Sequence, residues 1–409
     1  MIEAAIDRHI VIIGASLAGT RTAQNLRVLG HTGRVTLVGA DAALPYDRPP
    51  LSKKLLQGEW SEAAVEEIRL ATQGELDERD VELRLGAAAV GLDPAARLVQ
   101  LADGTAVPYD VLVIATGAAA RPSPWRPASG VYQLRTLNDS RAIAARLALG
   151  EPVVVVGGGF IGTEIAAAAV GHGCPVTIVD PLPEPMTRLV GPEIAGSLVE
   201  LHRRHGVRTR FGTGVVAVEG RAGDLTVELD SGERLAASTA VVGIGSVPST
   251  DWLAGSGLKL DNGVVTDRFL RAGGADNVYA IGDVARWPHP GRGVDVRAEH
   301  WTNASDQAMY VATALTQGAE AGYEPTDYVW SDQYDWKVNA FGRRDPAGSS
   351  TVIGDLQTGS RAAVIHTDAQ GVACGAVTVN WVRALNQARR LLATAASGDS
   401  VVEAILQLP

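Results

Sequence analysis

Two glycine-rich turns carry the chemistry most legible in this sequence. Gly14-Ala15-Ser16-Leu17-Ala18-Gly19 follows the apolar run Ile-Val-Ile-Ile at 10–13, and Gly157-Gly158-Gly159-Phe160-Ile161-Gly162 follows Val-Val-Val-Val at 153–156. Glycines at this spacing, between a buried strand and a helix, let the backbone turn tightly and approach a pyrophosphate. The phosphate charge then meets the amides and the positive dipole end of the helix. One such turn is weak evidence. Two predict two dinucleotide seats, and a chain with two nucleotide seats usually moves electrons between them.

Carboxylates near the turns refine the reading. Asp180 closes the run Val-Thr-Ile-Val-Asp, 23 positions after Gly157. An acid there holds the ribose hydroxyls of NAD and repels the 2′-phosphate of NADP, so NADH is expected, with Arg188 keeping NADPH as the alternative. The first turn is less regular. Ser16 replaces the second glycine, and beyond the strand at 34–38 come Gly39 and Ala40 before the nearest acid, Asp41. Asp41 reads equally well as a ribose ligand and as a loop acid. An ordinary backbone at Ser16 would preserve the close approach and leave its hydroxyl able to donate to phosphate. Glu164, two residues past Gly162, either complements the dipole of its helix or lies near the entry of a nicotinamide.

The elements that must position these residues follow from periodicity. Residues 10–13 read as a strand, 15 to about 29 as a helix and 34–38 as a second strand, a complete βαβ unit. Residues 153–170 are nearly all apolar, but three adjacent glycines and Glu164 argue for a buried strand turning into a packed helix rather than a membrane span. Asp-Val-Leu-Val-Ile-Ala-Thr-Gly at 110–117 suits a crossing out of the first domain, and Ala-Val-Val-Gly-Ile-Gly-Ser-Val-Pro at 240–248 a crossing back. Short strands at 362–366 and 373–380 precede a helical stretch at about 381–395.

Composition excludes other chemistries. With 409 residues, 46% hydrophobic and 20% charged, the chain suits two or three globular domains. A net charge of −10 argues against a nucleic-acid partner. Cys174 and Cys374 are the only cysteines, so no redox pair, disulfide framework or four-ligand metal site can be assembled from them. The N-terminal residues lack the basic and apolar pattern of an export signal, and a cytoplasmic location is expected.

Seven further motifs carry a resemblance: Pro-Tyr-Asp-Arg-Pro-Pro-Leu-Ser-Lys at 45–53, Ala-Thr-Gly at 115–117, Tyr-Gln-Leu-Arg-Thr-Leu at 132–137, Gly-Ile-Gly-Ser-Val-Pro at 243–248, Tyr-Ala-Ile-Gly-Asp at 279–283, Glu-His-Trp-Thr-Asn at 299–303 and Trp-Ser-Asp-Gln-Tyr at 330–334. Together the chain resembles the FAD-dependent ferredoxin reductases that serve bacterial Rieske oxygenases and cytochromes P450. The resemblance implies an α/β, glutathione-reductase-like fold. Its FAD domain would be discontinuous over 1–120 and 246–325, with a Rossmann-like NAD domain inserted at 121–245 and an α/β interface domain at 326–409.

It also implies roles. Gly14, Ala15, Ser16, Gly19, Asp41, Arg48, Lys53, Val90, Ala115, Gly117, Arg135, Gly245, Asp283 and Trp301 would contact FAD or flank it. Gly157, Gly159, Phe160, Ile161, Gly162, Glu164 and Asp180 would form the NADH seat, and Lys53 would pair with Glu164 beside flavin N5 to tune hydride transfer. No metal is expected on the chain, so single electrons would pass to a separate [2Fe-2S] ferredoxin and from it to an oxygenase, with no nucleic acid or membrane involved. Acidic ferredoxins dock on basic patches, which points to Arg343, Arg344, Arg389 and Arg390. Two alternatives share the fold: an NADH oxidase or rubredoxin (or other-acceptor) reductase, told apart by acceptor dependence, and an apoptosis-inducing-factor-like binding flavoprotein, told apart by poor turnover and a basic surface.

Overall fold

The computed structural model describes residues 6–58 and 60–408, without the side chains of 188 and 189. Met1–Ala5 of the segment read for an export signal, and the side chain of Arg188, lie outside the described residues. The chain forms two compact units, one made of 1–47, 65–119 and 246–326, the other of 48–64, 120–245 and 327–409.

The first unit is built on a five-stranded parallel sheet in the order Val278–Ala280, Val111–Ile114, Ile10–Ile13, Val35–Val38, Val81–Arg84. Ile10 is level with both Val35 and Val111, so the central strand is bonded on both edges. Alternation along a strand sends successive side chains to opposite faces. Ile10 and Ile12 accordingly join a core with Ala23 and Leu26 of the helix Leu17–Val28 and Val311 and Leu315 of the helix Trp301–Gln317. Val11 and Ile13 join the opposite core, with Leu92 and Val99 of an antiparallel three-stranded sheet. Both faces being covered explains why these strands are continuously apolar.

The second unit repeats the plan with the strand order Arg208–Phe211, Val176–Asp180, Val153–Val156, Thr239–Val242, Val131–Tyr132. Val154, Val156 and Val179 pack on the antiparallel strands Val215–Arg221, Asp224–Leu229 and Arg234–Ala237. The apolar stretch at 153–170 is a strand and the buried helix Phe160–Gly171, and no helix among the described residues is long and apolar enough to cross a membrane.

A five-stranded antiparallel sheet follows, in the order Tyr328–Gln333, Trp336–Gly342, Ala373–Val379, Ala362–Thr367, Ser350–Gly354. One face, through Val338, Val364 and Val377, packs on Ile194, Leu198 and Leu201 of the helix Thr187–Arg204, which kinks at Gly191-Pro192. The other face takes Ala384 and Ala388 of the helix Val382–Leu392 together with Val401 and Ile405 of a last helix, Gly398–Leu406. That last helix lies beyond the helical stretch expected at about 381–395. Ser397 starts it by accepting the amide of Ser400, a serine N-cap inside a stretch that otherwise reads as a turn.

Candidate functional site

The two glycine turns are built alike. Gly14 has φ +116°, and a Cβ there would stand 2.2 Å from the carbonyl oxygen of Ala115; Gly157 has φ +111°, and its Cβ would stand 2.3 Å from that of Gly243. Closer to the helix, a Cβ on Gly19 or Gly162 would fall 1.9 or 2.0 Å from the carbonyl oxygen of the first glycine. Only glycine fits, because in each case backbone meets backbone.

In the first unit the seat lies at the carboxyl edge of the sheet, where the strand ends are stitched together. Gly14 N donates to Val38 O, Ala115 N to Ile13 O and Ile281 N to Ile114 O. Gly14, Ala15, Ser16, Ala115, Gly117 and the Gly282–Val284 turn carrying Asp283 therefore flank one edge, the place where open α/β sheets bind ligands. Ser16 is the N-cap of its helix with extended backbone, φ −104° and ψ −159°, and makes no side-chain cap bond, so its hydroxyl keeps its hydrogen-bonding capacity at the phosphate end.

Gly282 N donates to Oε1 of the fully buried Gln307 at 2.7 Å, and the Gln307 amide nitrogen has no partner among the described residues. A buried donor left open on the side chain that braces this turn is a group that a bound dinucleotide would satisfy. These residues fit FAD.

The irregular first seat has a steric cause. At Gly39, where an acid would end the second strand, a Cβ would meet Ala15 Cβ at 2.8 Å and Leu85 at 3.0 Å. The carboxylate is displaced to Asp41, which is exposed and accepts from Ala43 N and the Tyr46 hydroxyl, each at 3.1 Å. Val90 lies in a bulge between Ala89, paired with Leu101, and Gly91, paired with Gln100, which exempts its backbone from regular pairing. Trp301 Nε1 donates to Asp47 Oδ1 at 2.8 Å, which fixes its ring at the start of the last helix of the unit.

In the second unit Asp180 is buried at the end of its strand. Oδ2 accepts from Gly158 N at 2.7 Å and Oδ1 from Leu182 N at 2.8 Å, leaving each oxygen one further lone-pair site. Gly159 is the N-cap of the helix Phe160–Gly171, and a Cβ there would meet nothing within 4 Å, so the helix start opens onto free space. Phe160 is half-buried and Ile161 half-exposed beside it. Gly245 accepts from Arg121 N, and Arg135 precedes the helix Leu137–Leu147, its amide donating to the capping carboxylate of Asp139.

Lys53 and Glu164 meet in this unit, Nζ to Oε1 at 2.8 Å, both largely buried. Arg48 is the N-cap of the turn Pro49–Leu51 that leads to Lys53. The loop is fastened where Ser140 Oγ donates to Leu51 O at 2.9 Å and His172 Nε2 meets Leu56 O at 2.7 Å. Burying a charge pair is costly unless the remaining lone pairs are bonded. Here Ser52 Oγ donates to Glu164 Oε2 and Ser331 Oγ donates to Oε1 at 2.6 Å, so the carboxylate has three partners. Ser52 and Ser331 lay inside motifs already singled out, but only tertiary structure shows where their hydroxyls go.

The cysteines stand apart from this chemistry. Cys174 is buried and its thiol bonds to Leu147 O, while Cys374 bonds to Arg343 O; burial pushes both thiols above the usual range, the direction of unreactive sulfur.

Two seats at the carboxyl edges of two parallel sheets define a dinucleotide-dependent oxidoreductase. Residues 8–308 match the family model described as pyridine nucleotide-disulphide oxidoreductase, and 328–404 that described as reductase C-terminal. The chain belongs to the pyridine nucleotide-disulphide oxidoreductases, in the ferredoxin-reductase branch that carries this C-terminal domain, and its cofactors are FAD and a pyridine nucleotide. It is 39% identical over 392 residues to rhodocoxin reductase of Rhodococcus erythropolis, covering 94% of this chain and 89% of that one. It is 36% identical to the anthranilate 1,2-dioxygenase system ferredoxin–NAD(+) reductase component of Burkholderia cepacia, over 95% of each. The reductase in the crystal structure of the covalent putidaredoxin reductase–putidaredoxin complex matches with a TM-score of 0.90 at 29% identity, covering 99% of this chain and 100% of that one.

Proposed function

We propose that the protein is an FAD-dependent ferredoxin reductase, taking hydride from NADH and delivering electrons singly to a separate [2Fe-2S] ferredoxin that feeds a cytochrome P450 or Rieske oxygenase. The observation that carries this reading is a pair of alike nucleotide turns on a chain whose two cysteines are buried or bonded to backbone, so that the electrons have no protein dithiol to reduce. Relatives named as ferredoxin–NAD(+) reductase components of dioxygenase systems, and a solved relative captured with putidaredoxin, support the acceptor.

Bound FAD supplies the step from two-electron to one-electron chemistry. The chain would hold it through Gly14, Ala15, Ser16, Gly19, Ala115, Gly117 and Asp283, with Arg48, Val90, Arg135, Gly245 and Trp301 as further contacts and Asp41 at the adenosine end. Gly157–Gly162 would hold the NADH pyrophosphate on the amides of the helix start, and Asp180 would accept both ribose hydroxyls, which favours NADH over NADPH. Lys53 and Glu164 would orient and balance charge for hydride transfer, the task the family resemblance gives them. The domain division is proposed as FAD-binding over 1–120 and 246–325, NAD-binding over 121–245 and interface over 326–409, in a cytoplasmic enzyme. Arg343, Arg344, Arg389 and Arg390 would meet an acidic ferredoxin; Arg389 is stacked over Tyr328 and Phe341, which holds its charge in place.

Anaerobic NADH titration of the purified holoprotein, followed by addition of [2Fe-2S] ferredoxins, tests the reading. Bleaching of a flavin spectrum and fast ferredoxin reduction are expected. A colourless protein that takes up no added FAD would end it.

A further inference from the structure

The motif Trp-Ser-Asp-Gln-Tyr at 330–334 contains three side chains that nucleotide binding leaves without a task. Ser331 and Gln333 occupy one face of the strand Tyr328–Gln333, fully buried, on an edge of its sheet beside the helix Phe160–Gly171. Buried polar groups on a strand are costly unless each is hydrogen-bonded, and here each is. Gln333 Nε2 donates to Ser331 Oγ at 3.2 Å, and Ser331 donates onward to Glu164 Oε1 at 2.6 Å. Gln333 Oε1 meets His202 Nε2 at 2.9 Å, and His202 Nδ1 meets the Tyr334 hydroxyl at 3.0 Å.

The amide fixes every direction. Its nitrogen only donates and its oxygen only accepts, so His202 carries its proton on Nε2 and Nδ1 accepts from Tyr334. Four donors therefore point the same way, from Tyr334 through His202, Gln333 and Ser331, and the chain ends on the Glu164 carboxylate that also holds Lys53.

Two features accompany the arrangement, a strained backbone at one end and an imidazole kept neutral in the middle. Tyr334 has φ 53°, a left-handed conformation uncommon for an aromatic residue, in the two-residue turn between the paired Gln333 and Trp336. His202 is almost fully buried, and burial lowers its pKa to about 4 although Gln333 pulls the other way; His205, stacked on the Tyr334 ring at 3.7 Å, is the further titratable group at this end.

We propose that Ser331, Gln333, His202 and Tyr334 are positioning residues for the Lys53–Glu164 pair: a one-way relay of hydrogen bonds that holds the Glu164 carboxylate in one orientation and so aims the Lys53 ammonium. The inference rests on the reading that this pair serves hydride transfer. Hydroxyl, amide and imidazole each have one arrangement compatible with both neighbours, so loss of any member frees the next to rotate.

The test uses the holoenzyme with 15N-labelled histidine. Long-range 1H–15N correlation should show His202 as the Nε2–H tautomer, and Tyr334→Phe or Ser331→Ala should convert it to a mixture. In stopped-flow flavin reduction by NADH, each variant should lower the limiting rate about fivefold to tenfold, the kinetic equivalent of one hydrogen bond, with unchanged NADH affinity. Ser331→Thr, which keeps the hydroxyl, should restore the rate. A lowered melting temperature with the tautomer and limiting rate both unchanged would overturn the relay and leave a purely structural network.

Glu164→Gln separates the two ideas. If it slows reduction while Ser331→Ala and Tyr334→Phe do not, the relay fails and the pair stands. If Glu164→Gln leaves reduction untouched, the reading of the pair fails, and the tautomer measurement, which needs no turnover, judges the relay by itself.

Discussion

Asp180 offers the sharpest test of nucleotide choice because its proposed contact with ribose can be separated from the backbone contacts that it makes in the structure. Its oxygens accept the amides of Gly158 and Leu182, and the lone pairs left over are the ones a ribose would use. Asp180→Ala removes both sets of contacts. Two hydroxyl-to-carboxylate bonds at about 1.5 kcal/mol each are about 3 kcal/mol, or roughly a hundredfold in kcat/KM for NADH. NADPH gains instead, since the repulsion of its 2′-phosphate is gone, so the NADH-to-NADPH ratio should fall by at least that factor.

The free protein should suffer as well. An unpaired Gly158 amide costs about 1–3 kcal/mol, and a cooperative unit of roughly 150–250 residues loses about 2–4 °C of Tm per kcal/mol. Asp180→Asn keeps an oxygen for Leu182 N but sets its NH2 against the Gly158 N–H, donor to donor, and it also removes the charge that repels a 2′-phosphate, so both the melting temperature and the NADH-to-NADPH ratio should fall, each by less than in Asp180→Ala. Steady-state kinetics with both nucleotides, beside thermal melts of the nucleotide-free protein, separate the two. An unchanged NADH-to-NADPH ratio in Asp180→Ala would refute the assignment of the second seat, whatever the melting temperature did.

Other outcomes follow from the same geometry. Gly157→Ala drives a methyl into Gly243 O at a left-handed φ and should cost about 2–5 kcal/mol, whereas Gly159→Ala enters open space and should leave the melting temperature within about 1 °C while weakening NADH binding, both read by thermal melts and NADH titration. His202 has a folded pKa near 4 against 6.5 unfolded, so it binds fewer protons when folded; its contribution, roughly 3 kcal/mol, is complete above pH 6.5 and is lost as the pH falls toward 4. Melts from pH 7 to 4 should therefore be flatter in His202→Gln than in the native chain. Reversing charge at Arg343, Arg344, Arg389 and Arg390 should raise the ferredoxin KM in a salt-sensitive way and spare NADH reduction of small dyes; an equal loss with both acceptors would reject docking there.

The parts legible in the sequence are those governed by local backbone geometry. A Cβ at Gly14 or Gly157 is excluded by the end of a neighbouring strand, so the requirement shows as residue type at fixed spacing. Continuous apolar runs such as 10–13 and 153–156 announced strands buried on both faces. What stayed hidden depends on residues far apart in the chain. Nothing in Ser52, Ser331, Gln333 or His202 taken singly distinguishes a surface polar residue from a bonded core one, and the distinction arises only when strand 328–333 lies beside the helix bearing Glu164. Asp41 reads two ways in sequence, and the contact that a Cβ at Gly39 would make with Ala15 and Leu85 supplies the steric reason why no acid stands directly at the end of the strand. The last helix was missed because its N-cap, Ser397, and its first residue, Gly398, are also turn formers.

The likeness of the two glycine turns makes the chain its own control experiment. Since a Cβ on Gly14 or Gly157 would fall at nearly the same distance from a neighbouring carbonyl oxygen, 2.2 and 2.3 Å, the turn itself cannot distinguish a cofactor that stays from one that comes and goes. Residence time must then be written in what borders each turn: a serine hydroxyl at one helix start and bare space at the other, an outlying loop acid beside one strand and a buried, doubly bonded aspartate beside the other. Exchanging Ser16 with Gly159, and each acid's surroundings with the other's, would turn a question about two cofactors into a comparison of dissociation rates within one molecule.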